Sequence, residues 1–258
     1  MIRDARNSDK SKVLNFCKNT FSWGDYIEYV WDYWISEGGL FVVENPNPIG
    51  ICHTFFSENQ VWIEGIRINS DFRRQGLASK LIKYVELISK EKHASFSFML
   101  IDTENLSSLL MAKNLNYKIF QTWNFYSLLP QINNNHKIQF AKNLNQTKIS
   151  HYVKSWRWLV LDKETSLSLC DQNKIIFSDD SGDISIAILS DSEHFDKTLI
   201  VTLSSGSQIN TLELISYIQN FGAEKNYQKI QILTKEKLPL TNTLEHKIAF
   251  NLMKKFLH

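Results

Sequence analysis

The sequence predicts a mixed α/β (α+β) protein in which a β-sheet is flanked by helices. Three observations predict it. Short apolar runs bounded by turn residues alternate with stretches of helical period. Hairpin signals come first and a strand–helix–strand unit follows, the order expected of a sheet with mixed pairing. The same order returns more weakly in the second half of the chain.

The elements follow in turn. Residues 2–5 read as a short strand and residues 9–19 as a helix. Ile27, Val30, Trp31 and Trp34 recur at helical spacing, so residues 25–36 read as an amphipathic helix. Residues 40–44, 49–56 and 61–69 are apolar runs, and Asn45-Pro46-Asn47-Pro48 is turn punctuation that makes the first two a hairpin. Leu77, Leu81, Val85 and Ile88 restore the helical period over residues 76–91. Residues 95–101 then read as a strand, 105–114 as a helix and 117–128 as one or two strands. In the second half, strands are expected at 174–177, 184–189, 199–203 and 229–233. Helices are expected at 211–221 and 244–257.

Residues 130–146 hold a proline and five asparagines with little periodicity, and so read as a linker. The expected organisation is a first domain over 1–130, a linker over 131–146 and a second domain over 147–258. Of the 258 residues 43% are apolar and 22% charged, which excludes a largely disordered chain. Formal charge is +2 and spreads evenly over both halves, so neither nucleic acid nor a membrane surface is an expected partner. Cys17, Cys52 and Cys170 are odd in number and far apart, which fits a reducing compartment and no disulfide framework. The opening MIRDARNSDKSK has no apolar core, so no signal peptide is expected, and no run is long enough for a membrane span. A cytoplasmic protein is the expectation. The histidines show no ligand spacing; His53 reads as an ordinary strand residue, and no metal site is expected.

Residues 61–88 carry the chemistry. A strand ends, a polar turn follows, and a helix begins near Gly76. The turn and first helical residues are Arg73, Arg74, Gln75, Gly76, Leu77, Ala78 and Ser79. Backbone N–H groups at a helix start have no intrahelical partners and sit at the positive end of its dipole. They make an anion site, best matched by a phosphate or pyrophosphate. Gly76 permits close backbone approach, Ala78 and Ser79 leave room, and Arg73 and Arg74 add charge at the rim.

The pattern Arg73-x-x-Gly76-x-Ala78, after a strand and before a helix, resembles motif A of the GNAT N-acetyltransferase superfamily. Other residues stand where that family carries functional ones: Glu64 nine residues before Arg73, Ile66, Arg67 and Ile68 along the same strand, and Asn105 at the next helix start. The resemblance covers roughly residues 1–129. It implies a sheet splayed between the strand of Glu64 and the strand near 95–101, with acetyl-CoA in the opening. It implies that the pyrophosphate lies on the 73–79 turn, that residues 66–68 meet the pantetheine arm and that Asn105 contacts the coenzyme. Glu64 is then the general base for direct attack by an amine.

The chemistry of the residues agrees. Most amines are protonated at neutral pH and must lose a proton to attack. A carboxylate on an apolar strand, its pKa raised by burial, can take it. A backbone N–H of the same strand, with that of Ile66 as the candidate, could stabilise the thioester oxygen that gains charge. The alternative for Glu64 is an ion pair with Arg67 or another base, and for Asn105 a plain helix cap.

One position departs from the family. Where many members carry a tyrosine acid, this chain has Ala112, leaving Tyr117, Tyr126 or water as substitutes. In GNAT folds the region of Trp23, Gly24, Asp25 and Tyr26 borders the acceptor, so Asp25 is a candidate ammonium partner and Tyr26 a pocket residue. That stretch is also similar to the histidine N-acetyltransferase group and to two-domain archaeal types, which favours a small amine, an amino acid, as acceptor. In the second half, Ser155, Trp156, Arg157 and Trp158 read either as a strand with an outward arginine or as a carboxylate clamp through Arg157. The turn at Ser204–Ser207 stands where a second motif A would but lacks its basic residues. The second domain is therefore expected to be a degenerate GNAT-like one that binds no coenzyme and closes the acceptor pocket. Two other functions compete: a non-catalytic acyl-CoA sensor or partner-binding module, and a protein or peptide N-acetyltransferase.

Overall fold

A computed structural model of the chain describes residues 1–18, 20, 24–133, 136–143, 149–180 and 182–257. Trp23 and residues 134–135 and 144–146 of the expected linker lie outside the described residues. Two compact units are present: residues 1–120 with 252–258, and residues 121–251.

The first unit runs β1 (Ile2–Asp4), α1 (Lys10–Cys17), α2 (Ile27–Glu37), β2 (Leu40–Glu44), β3 (Pro48–Ser57), β4 (Gln60–Ile68), α3 (Leu77–Glu91), β5 (Phe96–Asp102) and α4 (Leu106–Asn114). Strand β6 (Lys118–Leu128) begins in it. β1 to β4 form an antiparallel ladder in sequence order, and β5 joins β4 in parallel. The period-two alternation in β2 sorts its side chains. Leu40 and Val42 pack under α1 and α2 with Val13, Ile27, Val30, Trp31 and Trp34. Phe41 and Val43 pack on the opposite face with Leu81, Ile82 and Val85 of α3 and Ala112 of α4. The helical stripe of α2 is thus the core stripe its spacing predicts.

The second unit continues with β7 (Gln139–Phe140), β8 (His151–Lys154), β9 (Arg157–Val160), α5 (Lys163–Asp171), β10 (Ile175–Ser178), β11 (Ser185–Asp191), β12 (Thr198–Ser204), α6 (Gln208–Glu224), β13 (Lys229–Thr234) and the start of β14 (Leu244–Phe256), whose residues from 252 belong to the first unit. Its sheet places β6, β13, β12, β11, β10 and β7 side by side, with β12 and β13 parallel and covered by α6. β7 falls inside the stretch that reads as linker and pairs with β10.

Two local readings are corrected. Residues 244–257 are not a helix: β14 is a strand throughout. The spacing of Leu244, Ile248 and Leu252 matches a helix, but its backbone groups find partners in a sheet, and tertiary context overrides propensity. The stretch around Trp156 is not one strand either. β8 and β9 form a hairpin whose turn is Ser155-Trp156, with φ of 50° and 65°. Positive φ at both turn residues suits the right-handed twist of the paired strands. Arg157 follows that turn and is 2% exposed, so it does not point outward. α5 carries no strong period and was not foreseen; Asp162 caps it by accepting the Thr165 N–H at 2.7 Å.

Candidate active site

The parallel ladder between β4 and β5 runs from Gln60↔Phe96 to Ile63↔Met99 and ends there. Both strands continue, β4 through residues 64–68 and β5 through residues 100–102. The sheet therefore parts immediately before Glu64, and residues 64–68 line roughly 15 Å of the opening at a strand's ~3.3 Å per residue.

α3 starts at the end of this strand. Its N-cap is Gly76, at φ 75° and ψ 10°, and no side chain caps it. The amides of Leu77, Ala78 and Ser79 lie in the first turn, with no carbonyl of the helix ahead of them. Arg74 also has positive φ, 61°, so the chain curls as it enters the helix. Arg73, Arg74, Gln75 and Gly76 are exposed, and Arg73 Nε donates to the Ile68 carbonyl at 3.1 Å, tying the turn to β4. A Cβ built on Gly76 meets nothing within 4 Å. An uncapped helix start, open space and two arginines at the rim fit a pyrophosphate.

The second unit lacks these features. β12 and β13 stay paired from Thr198↔Lys229 to Leu203↔Thr234. A Cβ on Gly206 would stand 2.4 Å from the Asp183 carbonyl oxygen, and Ser207 Oγ already accepts the Asn210 N–H of α6.

Glu64 sits one residue inside the opening, opposite His53. The β3–β4 register slips there: Ile51 faces Arg67 and His53 faces Glu64, so Cys52 alone stands against Gly65 and Ile66. This β-bulge changes which residues share a face. Strict alternation would put Glu64 and Arg67 on opposite faces; the extra residue brings both to the α1–α2 face. Ile66 and Ile68 pack on the α3–α4 face.

Gly65 makes the bulge possible. Its φ is 62°, and a Cβ there would lie 2.4 Å from the Trp34 ring. Gly65→Ala is expected to cost about 1–3 kcal/mol from left-handed strain alone. The clash with Trp34 adds to it, and thermal unfolding of the variant measures the sum.

Glu64 Oε1 lies 2.9 Å from His53 Nδ1, and Oε2 accepts from Trp62 Nε1 at 3.2 Å. His53 is fully buried, and its ring stacks on Trp34 at 4.5 Å with 0° between planes. Its Nε2 is 3.0 Å from the Gly38 carbonyl oxygen and 3.3 Å from Glu37 Oε2. The carboxylate thus has a histidine and a tryptophan as hydrogen-bond partners. Sequence reasoning passed over His53, Glu37 and Trp34 as strand and core residues.

Arg67 reaches Asp25, through Nε to Oδ2 at 2.6 Å and Nη2 to Oδ1 at 3.1 Å. Its guanidinium lies over the Tyr26 ring, 5.1 Å from the centroid. Burial pushes the Tyr26 hydroxyl pKa up, opposed by the charge of Arg67. Asp25, Tyr26 and Arg67 therefore form one group beside Glu64, with Tyr26 edge-on to Trp34.

The remaining candidates are more scattered. Asn105 caps α4: its Oδ1 accepts the Ser108 N–H at 3.1 Å and the Ser107 hydroxyl at 3.0 Å. Ala112 is buried in the core. Tyr117 is buried as well, its hydroxyl 2.6 Å from Ser97 Oγ and its pKa raised by burial. Tyr126 and Arg157 belong to the second unit, where the Tyr126 hydroxyl accepts the Leu238 N–H. Burial holds the Cys17 thiol up at about 12 and pushes Cys52 up as well. Among the described residues no cluster of three or more His, Cys, Asp or Glu could hold a metal, and no helix is long and apolar enough to cross a membrane.

The first unit thus has a mixed sheet that parts beside an uncapped helix start, with a carboxylate just inside the gap. Residues 9–117 match the model of the acetyltransferase (GNAT) family. That match lies wholly within the first unit, which is thus similar to a family that draws on acetyl-CoA. No curated protein matches the sequence.

Solved structures share the fold along the whole chain. A GCN5-related N-acetyltransferase from Sphaerobacter thermophilus is 12% identical with a TM-score of 0.64, covering 100% of this chain and 95% of that one. A Thermoplasma acidophilum protein is 10% identical with a TM-score of 0.66, covering 99% of both. A GCN5-related N-acetyltransferase from Kribbella flavida is 13% identical with a TM-score of 0.50, covering 100% of this chain and 72% of that one.

Proposed function

We propose that the first unit moves an acetyl group from acetyl-CoA to the amine of a small molecule, an amino acid being the favoured class. The observation that carries this is the parting of β4 from β5 immediately before Glu64, beside the bare start of α3. Residues 73–79 hold the pyrophosphate and residues 66–68 run along the pantetheine arm. Asn105 stands at the next helix start, on the coenzyme's side of the opening. Glu64 takes the proton that the acceptor ammonium must lose before it attacks.

Asp25 and Arg67 support a zwitterionic acceptor. In the ion pair they form, each is the counter-ion that an amino acid's own ammonium or carboxylate would meet. Tyr26 lines the same place. The second unit, with β12 and β13 paired throughout, is read as a degenerate copy without coenzyme.

A sensor that binds acyl-CoA without turning it over is the second reading. It is favoured by the buried alanine at position 112 and by the engagement of Tyr117 with Ser97, so that neither position supplies a free tyrosine acid. Free-thiol release from acetyl-CoA, measured over a panel of amino acids, polyamines and N-terminal peptides, separates the readings. Release with amino acids is the expected result. Calorimetric binding of acetyl-CoA with no release on any amine would establish the sensor, and release with peptides alone would replace the acceptor class.

A further inference from the structure

We infer that His53 is a positioning residue for Glu64: it shares one proton with that carboxylate, fixes its orientation and links it to Glu37. The inference deepens the reading of Glu64 as proton acceptor and rests on it.

Hydrogen-bond accounting carries the argument. His53 Nε2 lies 3.0 Å from the Gly38 carbonyl oxygen, and a carbonyl only accepts, so Nε2 bears hydrogen. Nδ1 then meets Glu64 Oε1 at 2.9 Å, and a contact that short between two polar atoms requires one proton on the line, whichever atom it is bonded to. Glu64 therefore does not act as an isolated carboxylate. It is held at Oε1 by His53 and at Oε2 by Trp62 Nε1, so its plane cannot rotate. The imidazole is itself fixed by complete burial and by stacking flat on Trp34. When the acceptor's N–H bond breaks and an O–H bond forms on Glu64, the proton between Nδ1 and Oε1 stays where it is. The orientation of the base survives its protonation.

The charged surroundings set the sign of the pH effect. From α2, Glu37 Oε2 stands 3.3 Å from Nε2. From β4 come Glu64 and Arg67, and from the segment before α2 come Asp25 and Tyr26. Cys17 of α1 and Cys52 of β3 complete the set, both with raised thiol pKa values. Arg67 is engaged by Asp25 at 2.6 Å. The imidazole is thus the group placed between the Glu64 and Glu37 carboxylates. Replacing it with a neutral amide leaves Glu64 facing a like charge, which favours its protonated form and weakens the base at the acidic side.

The test is His53→Gln with the full chain. Turnover is expected to fall roughly 10–10²-fold through misplacement of the base, with unchanged calorimetric affinity for acetyl-CoA. The acid limb of kcat/KM is expected to move to higher pH. A fall in kcat with an unmoved pH profile, or no fall, overturns the inference and leaves Glu64 as the base. If Glu64→Gln turns over normally, the reading of the base fails and the positioning role falls with it. Proton NMR of the wild-type protein decides independently of how well the variant folds. A downfield, exchange-protected proton on the His53–Glu64 line that disappears in Glu64→Gln is expected; its absence from the wild type overturns the shared proton.

Discussion

Glu64→Gln lowers kcat for acetyl transfer by roughly 10²–10⁴-fold, the contribution expected of a positioned proton acceptor, while acetyl-CoA affinity by calorimetry stays as it was. The amide is isosteric, so the carbonyl oxygen still accepts from Trp62 or His53 and the bulge at Gly65 is untouched. What is lost is basicity. The loss corresponds to about 3–5 kcal/mol of transition-state stabilisation, far more than an exposed carboxylate could supply. Raising the pH is expected to restore part of the rate, because a larger share of the acceptor then arrives as the free amine and needs no base. An unchanged rate across the pH range would remove Glu64 from the mechanism and point to an acceptor that arrives already neutral.

Gly76→Glu abolishes measurable binding of acetyl-CoA and leaves the fold intact. The residue is exposed at φ 75°, and a Cβ there meets nothing, so the fold bears only left-handed strain of about 1–2 kcal/mol. The new carboxylate, however, stands over the free amides of Leu77, Ala78 and Ser79 at the positive end of α3. It satisfies the groups meant for a phosphate and repels one. Calorimetry gives the binding and circular dichroism the fold; full affinity in a folded variant would show that the coenzyme does not use this turn. Gly76→Ala, which adds the strain without the charge, separates the two effects.

The parts legible in the sequence are those set by local chemistry. A strand, a basic turn, a lone glycine and small residues before a helical stripe identify the start of α3 from residues 61–88 alone. The two-faced strand β2 and the stripe Ile27, Val30, Trp31, Trp34 are legible for the same reason, since periodicity states burial directly. The face of Arg67 is not legible, because one extra residue at Gly65 and Ile66 shifts it and a bulge leaves no periodic mark. His53 was within reach. The hairpin pairs Ser57 with Gln60, and counting back along that ladder brings residue 53 directly against residue 64. Residues 244–257 failed in the opposite way. Their period is helical, and only neighbouring strands, invisible in a local window, make β14 extended.

Cys52 carries a last consequence. An enzyme that works with activated sulfur esters risks passing the activated group to its own sulfur. Here a thiol stands against Gly65 and Ile66, on the very strand that lines the gap. It is sealed from solvent, and burial keeps it in the neutral, unreactive form. With the chemistry placed as proposed, the protein keeps sulfur next to it without becoming its own acceptor, and self-inactivation by trans-thioesterification is avoided through burial rather than through the removal of cysteine.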